Sequence, residues 1–398
     1  MQNKEFAADA RRLLETNILP FWATRMADNA RGGFYGRMDG NGLLHPDAER
    51  GAILNARILW AFSAAYRVLR RPEYLVQATR ARDYMLAHFI DSEEGGVYWS
   101  VSADGTPLDT KKQTYAIGFA IYGFSEYARA TGDDLSLQTA IKLYRDIEAH
   151  AFDPQHGGYH EALTRTWQPI ADMRLSDKDE NCDKTMNTHL HVIEPYTNLF
   201  RVWPDEGLRR QIVRLVDVFT DRLMNPTTHH LDLFFSTDWQ GRRDIESFGH
   251  DIEASWLLQE TADVLGDKAL ARRLAPVVAD IAHASEEGLN ADGSLTAERW
   301  KSDGHTTTER DWWTQCECVI GEVNMAQLTS GDESRRHMGR ALDCYGYITR
   351  RLVDSELGEW FWGVAPDGTP NRHDDRAGFW KCPYHNTRMC LEIIERLG

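Results

Sequence analysis

The chain has 398 residues, 42% of them hydrophobic with 13 Trp and 15 Phe, enough for a large core, and no apolar run approaches the roughly 20 residues that span a bilayer. A net charge of −16 excludes nucleic acid and anionic lipid as partners, because both are bound through an excess of Lys and Arg. The start Met1-Gln2-Asn3-Lys4-Glu5 lacks a signal-peptide apolar run, and the six cysteines (182, 316, 318, 344, 382, 390) have no framework spacing; reduced thiols, a cytoplasmic location and a small neutral partner are expected.

Along the chain, Gly32-Gly33-Phe34-Tyr35, Gly95-Gly96-Val97-Tyr98-Trp99 and Gly157-Gly158-Tyr159-His160 recur at similar intervals. Weaker copies follow at Leu231-Asp232-Leu233-Phe234-Phe235, Gly288-Leu289-Asn290-Ala291-Asp292-Gly293 and Gly358-Glu359-Trp360-Phe361-Trp362. Each copy fits a short strand or hairpin within a loop. Between them lie segments with apolar residues at helical spacing, such as Ile53, Leu54, Ile58, Leu59, Phe62, Tyr66 and Leu69. Caps and Pro/Gly breaks place helix starts near 5, 51, 73, 111, 133, 184, 206, 246, 267, 309, 332 and 383, the last opened by Pro383. The unit is helix, short link, helix, long loop. Six units predict one all-α domain over 1–398, an (α/α)6 barrel with odd helices outside, even helices inside and short β-hairpins in the long loops. An open helical solenoid is the competing architecture.

The even helices carry the unusual side chains: Arg57, then Tyr115, then Asn187 and His191, then His250, Glu253 and Trp256, then Trp313 and Glu317, and finally His385. Each group follows a long loop, so an inner ring would gather them at one mouth of the barrel. His250 and Glu253 share a helical face, which suits either a carboxylate-oriented base or an ordinary ion pair. Trp313 and Glu317 share one too, and an aromatic plate beside a hydrogen-bond acceptor is what a sugar requires, although Trp312 and Trp313 equally suit a core. His385 sits at a helix start, where the dipole disfavours the protonated ring and leaves a base. His189 and His191, like Cys316 and Cys318, are two apart and diverge on a helix; with no HExxH, CxxC-type, phosphate-loop or GxSxG pattern, neither metal nor nucleotide cofactor is expected.

Five ordered motifs together resemble the cellobiose 2-epimerase family, within the N-acylglucosamine 2-epimerase superfamily. They are Asn55-Ala56-Arg57-Ile58-Leu59-Trp60, Lys184-Thr185-Met186-Asn187-Thr188-His189-Leu190-His191, Gly249-His250-Asp251-Ile252-Glu253-Ala254-Ser255-Trp256, Trp312-Trp313-Thr314-Gln315-Cys316-Glu317 and Trp380-Lys381-Cys382-Pro383-Tyr384-His385-Asn386. The resemblance spans essentially the whole chain; Cys316 and Cys318 replace the Ala usual beside Glu317. It implies cofactor-independent inversion at C2 of the reducing-end glucose of β-1,4-disaccharides, and a monomer or weak dimer. Arg57, Tyr115 and Asn187 fall where the family binds sugar hydroxyls, and Trp313 and Trp380 where it stacks rings. Chemistry agrees: once the sugar ring opens, His250, oriented by Glu253, and His385 would pass the C2 proton through a cis-enediol, with His191 and Arg57 stabilising the developing charge. Trp256 and Glu317 are expected to touch substrate. A mannose isomerase or monosaccharide 2-epimerase would use the same histidines. A glycoside hydrolase would need two carboxylates flanking the bond, and a non-catalytic sugar binder would leave the C2 proton in place.

Overall fold

The computed structural model describes residues 3–176, 179–241 and 245–398; Met1 and Gln2, the first residues of the polar N-terminal stretch, lie outside them. Among the described residues, twelve helical segments follow in pairs. The outer ones are α1 (3–24), α3 (72–89), α5 (Asp134–His150), α7 (206–223), α9 (Lys268–Ser285) and α11 (331–352). The inner ones are α2 (Ala52–Leu69), α4 (Thr114–Thr131), α6 (Met186–Val202), α8 (Phe248–Leu265), α10 (Trp312–Leu328) and α12 (His385–Leu397). Every expected start falls within three residues of an observed one.

Each inner helix packs on the next, and α12 returns to α2 and α1, so the ring closes as an (α/α)6 barrel. Outer helices show why they are outside. In α7 only Leu208, Ile212, Leu215, Val216, Phe219 and Leu223 are buried, one stripe at helical spacing. Inner helices are apolar nearly all round, so a charged residue in one must find a partner inside the ring. Among the described residues no helix is long and apolar enough to cross a membrane, and all six cysteines are buried free thiols.

The aromatic loops fasten one unit to the next. Arg50–Gly51, Lys112–Gln113, Lys184–Thr185, Ile245–Ser247 and Arg310–Asp311, each directly ahead of an inner helix, pair antiparallel with a short strand of the following unit's loop. A sixth bridge, Met38 to Ala377, joins the first unit to the last. The first N–H of each of these five inner helices is taken by that next loop, for example Ala52 to the Trp99 carbonyl and Trp312 to the Trp362 carbonyl. An inner helix therefore needs no side-chain cap, and only Thr185 supplies one. Within the loops, Asp28, Asp91, Asp153 and Asp354 each accept two N–H groups of their own turn and a buried cation: Arg50, Lys112, Lys184 and Arg376. Pairing makes those buried charges tolerable and sets the mouth of the barrel as a rigid rim.

Candidate active site

All six inner helices run the same way, so their N-termini surround one mouth. There a cavity of about 390 Å³ is lined by Arg57, Tyr115, Asn187, His191, His250, Glu253, Trp313, Trp380 and His385, with Leu175, Ser176 and Asp179 from the loop ahead of α6 and Trp312 and Trp362 at its edge. A larger space of about 650 Å³ adjoins it and shares Leu175, Asn187, His250, Trp313 and Trp362.

Arg57 projects from α2 between the rings of Phe119 (4.1 Å) and Tyr384 (4.6 Å). It donates to the Tyr115 hydroxyl at 2.7 Å and lies 3.8 Å from Cys382 Sγ; among the described residues no carboxylate pairs with it. A buried guanidinium held by aromatic faces alone keeps its charge for a ligand. The Tyr115 ring meets His191 edge-on at 4.9 Å, and burial pushes its hydroxyl up.

His191 owes its position to Pro195. A proline inside a helix lacks an N–H and crowds the carbonyl four residues back. That residue is His191, which leaves helical geometry (φ −90°, ψ 17°). The displaced carbonyl points at α4, where a Cβ on Gly118 would come within 2.4 Å of it; glycine is what lets the two helices meet there. Glu194 then accepts from His191 Nδ1 at 2.9 Å.

His250 and His385 both pack against the Trp313 indole, with ring centroids 4.8 and 5.7 Å from it. Gly249 makes room, since a Cβ there would lie 2.7 Å from the Trp313 ring. His250 Nδ1 is 2.8 Å from Ser247 Oγ, and His385 Nδ1 is 2.7 Å from Glu317. With each Nδ1 engaged, Nε2 is the nitrogen left to act. Burial, aided by the charge of His191, pushes His250 down to about 3. His385 is lowered well below the ordinary imidazole range by burial first and then by Arg57 and Arg388. The dipole argument gave the direction, but burial and two guanidiniums are the larger causes. Both rings are neutral at pH 7.

Beneath the histidines lies Arg388, fully enclosed, which pairs with Glu194, Glu253 and Glu317 and lies 4.8 Å from the Trp256 ring. This cation corrects three expectations. Glu253 does not orient His250: its Oε1 is drawn to Arg388 across the barrel, its Oε2 has no hydrogen-bond partner among the described residues, and Ser247 holds the imidazole instead. Glu317 does not face the cavity; it bonds His385, Arg388 and the Trp256 indole N–H (3.1 Å), one layer below it. Trp256 lies in that same buried layer and does not line the cavity either. A shared helical face gives direction, not depth, and depth separates a wall from its support. Burial and the neighbouring Glu317 push Glu253 up to about 7 despite Arg388. Arg388, Glu194, Tyr384 and Ser247 escaped the sequence reading, though His191/Glu194 repeats the spacing of His250/Glu253 and His385/Arg388 share an i,i+3 face.

Among the described residues, two groups of side chains have ligand atoms close enough for a metal: Glu253, Glu317 and His385, and on the outside His283, Glu286 and His337. In the first, Arg388 pairs with both glutamates; in the second, Arg340 pairs with Glu286. A divalent ion would have to displace a guanidinium in either.

Residues 33–388 match the N-acylglucosamine 2-epimerase (GlcNAc 2-epimerase) family. The chain belongs to that family. Within it, the chain is 55% identical over 381 residues to a cellobiose 2-epimerase of Bacteroides fragilis, covering 96% of both, and 40% identical to one of Ruminococcus albus, covering 98% of both. The solved cellobiose 2-epimerase of Bacillus thermoamylovorans B4167 superposes with a TM-score of 0.93 at 40% identity, over 99% of this chain and 100% of that one. A D-mannose isomerase structure shares the fold at 16% identity, with a TM-score of 0.85.

Proposed function

We propose that this member of the family is a cellobiose 2-epimerase acting with its whole chain as one catalytic domain. It inverts C2 of the reducing-end glucose in β-1,4-linked disaccharides, interconverting cellobiose with glucosyl-mannose and lactose with epilactose. The observation that carries the reading is the pair of neutral imidazoles at the cavity, both against Trp313 and each anchored through Nδ1. Inversion needs a base on each face of the carbon.

In a closed pyranose the C2 proton is barely acidic, so the ring opens first: a base, assigned to His385, takes the O1 proton, the C1–O5 bond breaks, and O5 is protonated. With a carbonyl at C1, one histidine removes the C2 proton and the electron pair moves toward O1, giving a cis-enediolate. The opposite histidine, which takes up a proton from solvent, delivers it to the other face of C2, the first histidine releases its own proton to solvent, and the ring recloses. The negative charge on oxygen lies next to Arg57, with Tyr115 and His191 as further donors. Charge gained by the substrate offsets the burial that keeps the free histidines neutral, so a weakly basic imidazole becomes adequate once the enediolate forms. Trp313 and Trp380 offer faces for the C–H surfaces of the two sugars, and Asn187 a polar contact. A cytoplasmic location and action without a cofactor belong to the same reading.

Proton NMR of cellobiose with the protein in D2O tests it. The expected result is loss of the reducing-end C2–H signal together with new mannose anomeric signals. A spectrum showing only a 2-ketose, or an unexchanged C2 proton, would overturn the assignment.

A further inference from the structure

Asp311 takes part in none of the steps above, yet it has an uncommon environment. It is the residue directly before α10, held extended (φ −76°, ψ 153°) by its ladder pairing with Gly363. An aspartate there ordinarily caps its own helix, but this one does not; the Trp362 carbonyl has taken the first N–H of α10 instead. Freed from capping, Asp311 Oδ2 accepts from the Trp313 indole N–H at 3.0 Å, while Oδ1 has no hydrogen-bond partner among the described residues. Burial and the nearby Glu298 and Glu309 push the carboxyl up to about 7. Such a group is costly to keep unless it does something.

What it does is fixed by its partner. Trp313 is the ring against which both His250 and His385 pack, and it stands over Gly249. Packing alone leaves an indole free to slide in its plane, and the one polar atom it owns is Nε1. Anchoring Nε1 sets the ring's rotation, and so the gap in which C1 and C2 of the substrate must lie between two bases. Given the proposed epimerase reading, on which this rests, we infer that Asp311 is a positioning residue for proton transfer, acting through the Trp313 plate.

The test is a double-mutant cycle read by C2–H exchange in D2O. Asp311→Leu keeps the shape and removes the acceptor, and misplacement of a reacting group by about 1 Å costs about 100-fold. Its kcat is expected to fall about 10- to 100-fold with KM changed much less, and Asp311→Asn, which keeps an oxygen acceptor, to restore most of that loss. In a Trp313→Phe background the Leu change is expected to add almost nothing, because the ring then has no N–H to hold. Additive losses, or an Asn variant as slow as the Leu variant, would overturn the inference. The indole resonance of Trp313, assigned by its absence in Trp313→Phe, gives a reading independent of turnover. Its N–H should exchange with solvent faster in Asp311→Leu, and an unchanged rate would overturn the inference even in a protein without epimerase activity. Wild-type protein that exchanges no C2 proton would instead defeat the functional reading alone.

Discussion

The barrel has a cavity at each end, and the one at the N-terminal mouth continues into the adjoining space of about 650 Å³. The one at the N-terminal mouth is about 390 Å³; the one at the C-terminal ends of the inner helices is about 360 Å³. At the far end every arginine has its carboxylate: Arg67 with Glu126 and Glu395, Arg129 with Glu126, Arg201 with Glu260 and Arg396 with Glu392. Helix C-termini carry partial negative charge, so cations gather there and are neutralised in place. At the near end Arg57 has no carboxylate among the described residues, Glu253 Oε2 and Asn187 Oδ1 have no hydrogen-bond partner, and two imidazoles are held neutral. Six helix N-termini add partial positive charge, which resists protonation of those rings and favours an enediolate. What distinguishes the site from the structural hollow is unfinished pairing.

Substitutions at the two ends should therefore read differently. The largest effect is expected from His250→Ala and His385→Ala, each lowering C2–H exchange by at least the 10²–10⁴-fold typical of a general base while leaving the circular dichroism spectrum intact. Substantial retained epimerisation of both epimers in either variant would leave a single base doing all the chemistry. Next comes Arg388→Met. It strands three buried carboxylates, and breaking a buried pair costs about 3–5 kcal/mol, to be read as a lower midpoint in urea unfolding.

A smaller, pH-dependent effect belongs to Glu253. Its folded value of about 7 lies above its ordinary 4.5, so folding takes up a proton between the two. The stability from this proton is complete below about pH 4.5 and is lost as the pH rises through 7. Glu253→Gln removes that slope. Its unfolding free energy relative to wild type should improve from pH 5 to pH 8, the opposing slope of His250 being common to both proteins. Smallest is the far end: Arg201→Ala with Glu260→Ala breaks a part-exposed pair worth at most about 1 kcal/mol and should leave kcat unchanged. A fall in turnover there would mean that the two ends are coupled.

The architecture was readable because it is written six times. Gly-Gly-aromatic loops and helix pairs repeat, and each repeat constrains the others, so even the weak copy at Gly288 falls into place. The wall of the site was readable for a related reason: Arg57, His191, His250 and His385 each lie in the N-terminal half of an inner helix, directly after a long loop. What lies behind the wall was not. Arg388 sits on the last helix and its three glutamates on three others, so no local spacing announces the cluster. The i,i+3 rule paired Glu253 with His250, and a guanidinium from across the ring won the carboxylate instead. Glu317 and Trp256 were placed on the correct faces and at the wrong level, because periodicity carries no radial coordinate.

The bridge between Met38 and Ala377 also bears on how the protein is made. Asn17 bonds the Asp354 carbonyl, Trp22 bonds Glu359 and Arg25 bonds the Leu357 carbonyl, so the opening helix pair is finished by the closing one. During synthesis the first five units can stack as they leave the ribosome, but the flanks of α2 and α10 stay uncovered until α12 emerges. His385 and Arg388 arrive on that same helix. The nascent chain thus gains the imidazole proposed as its second base, the guanidinium under the site and the seal of its ring in one event, and a molecule lacking α12 would expose the apolar flanks of α2 and α10.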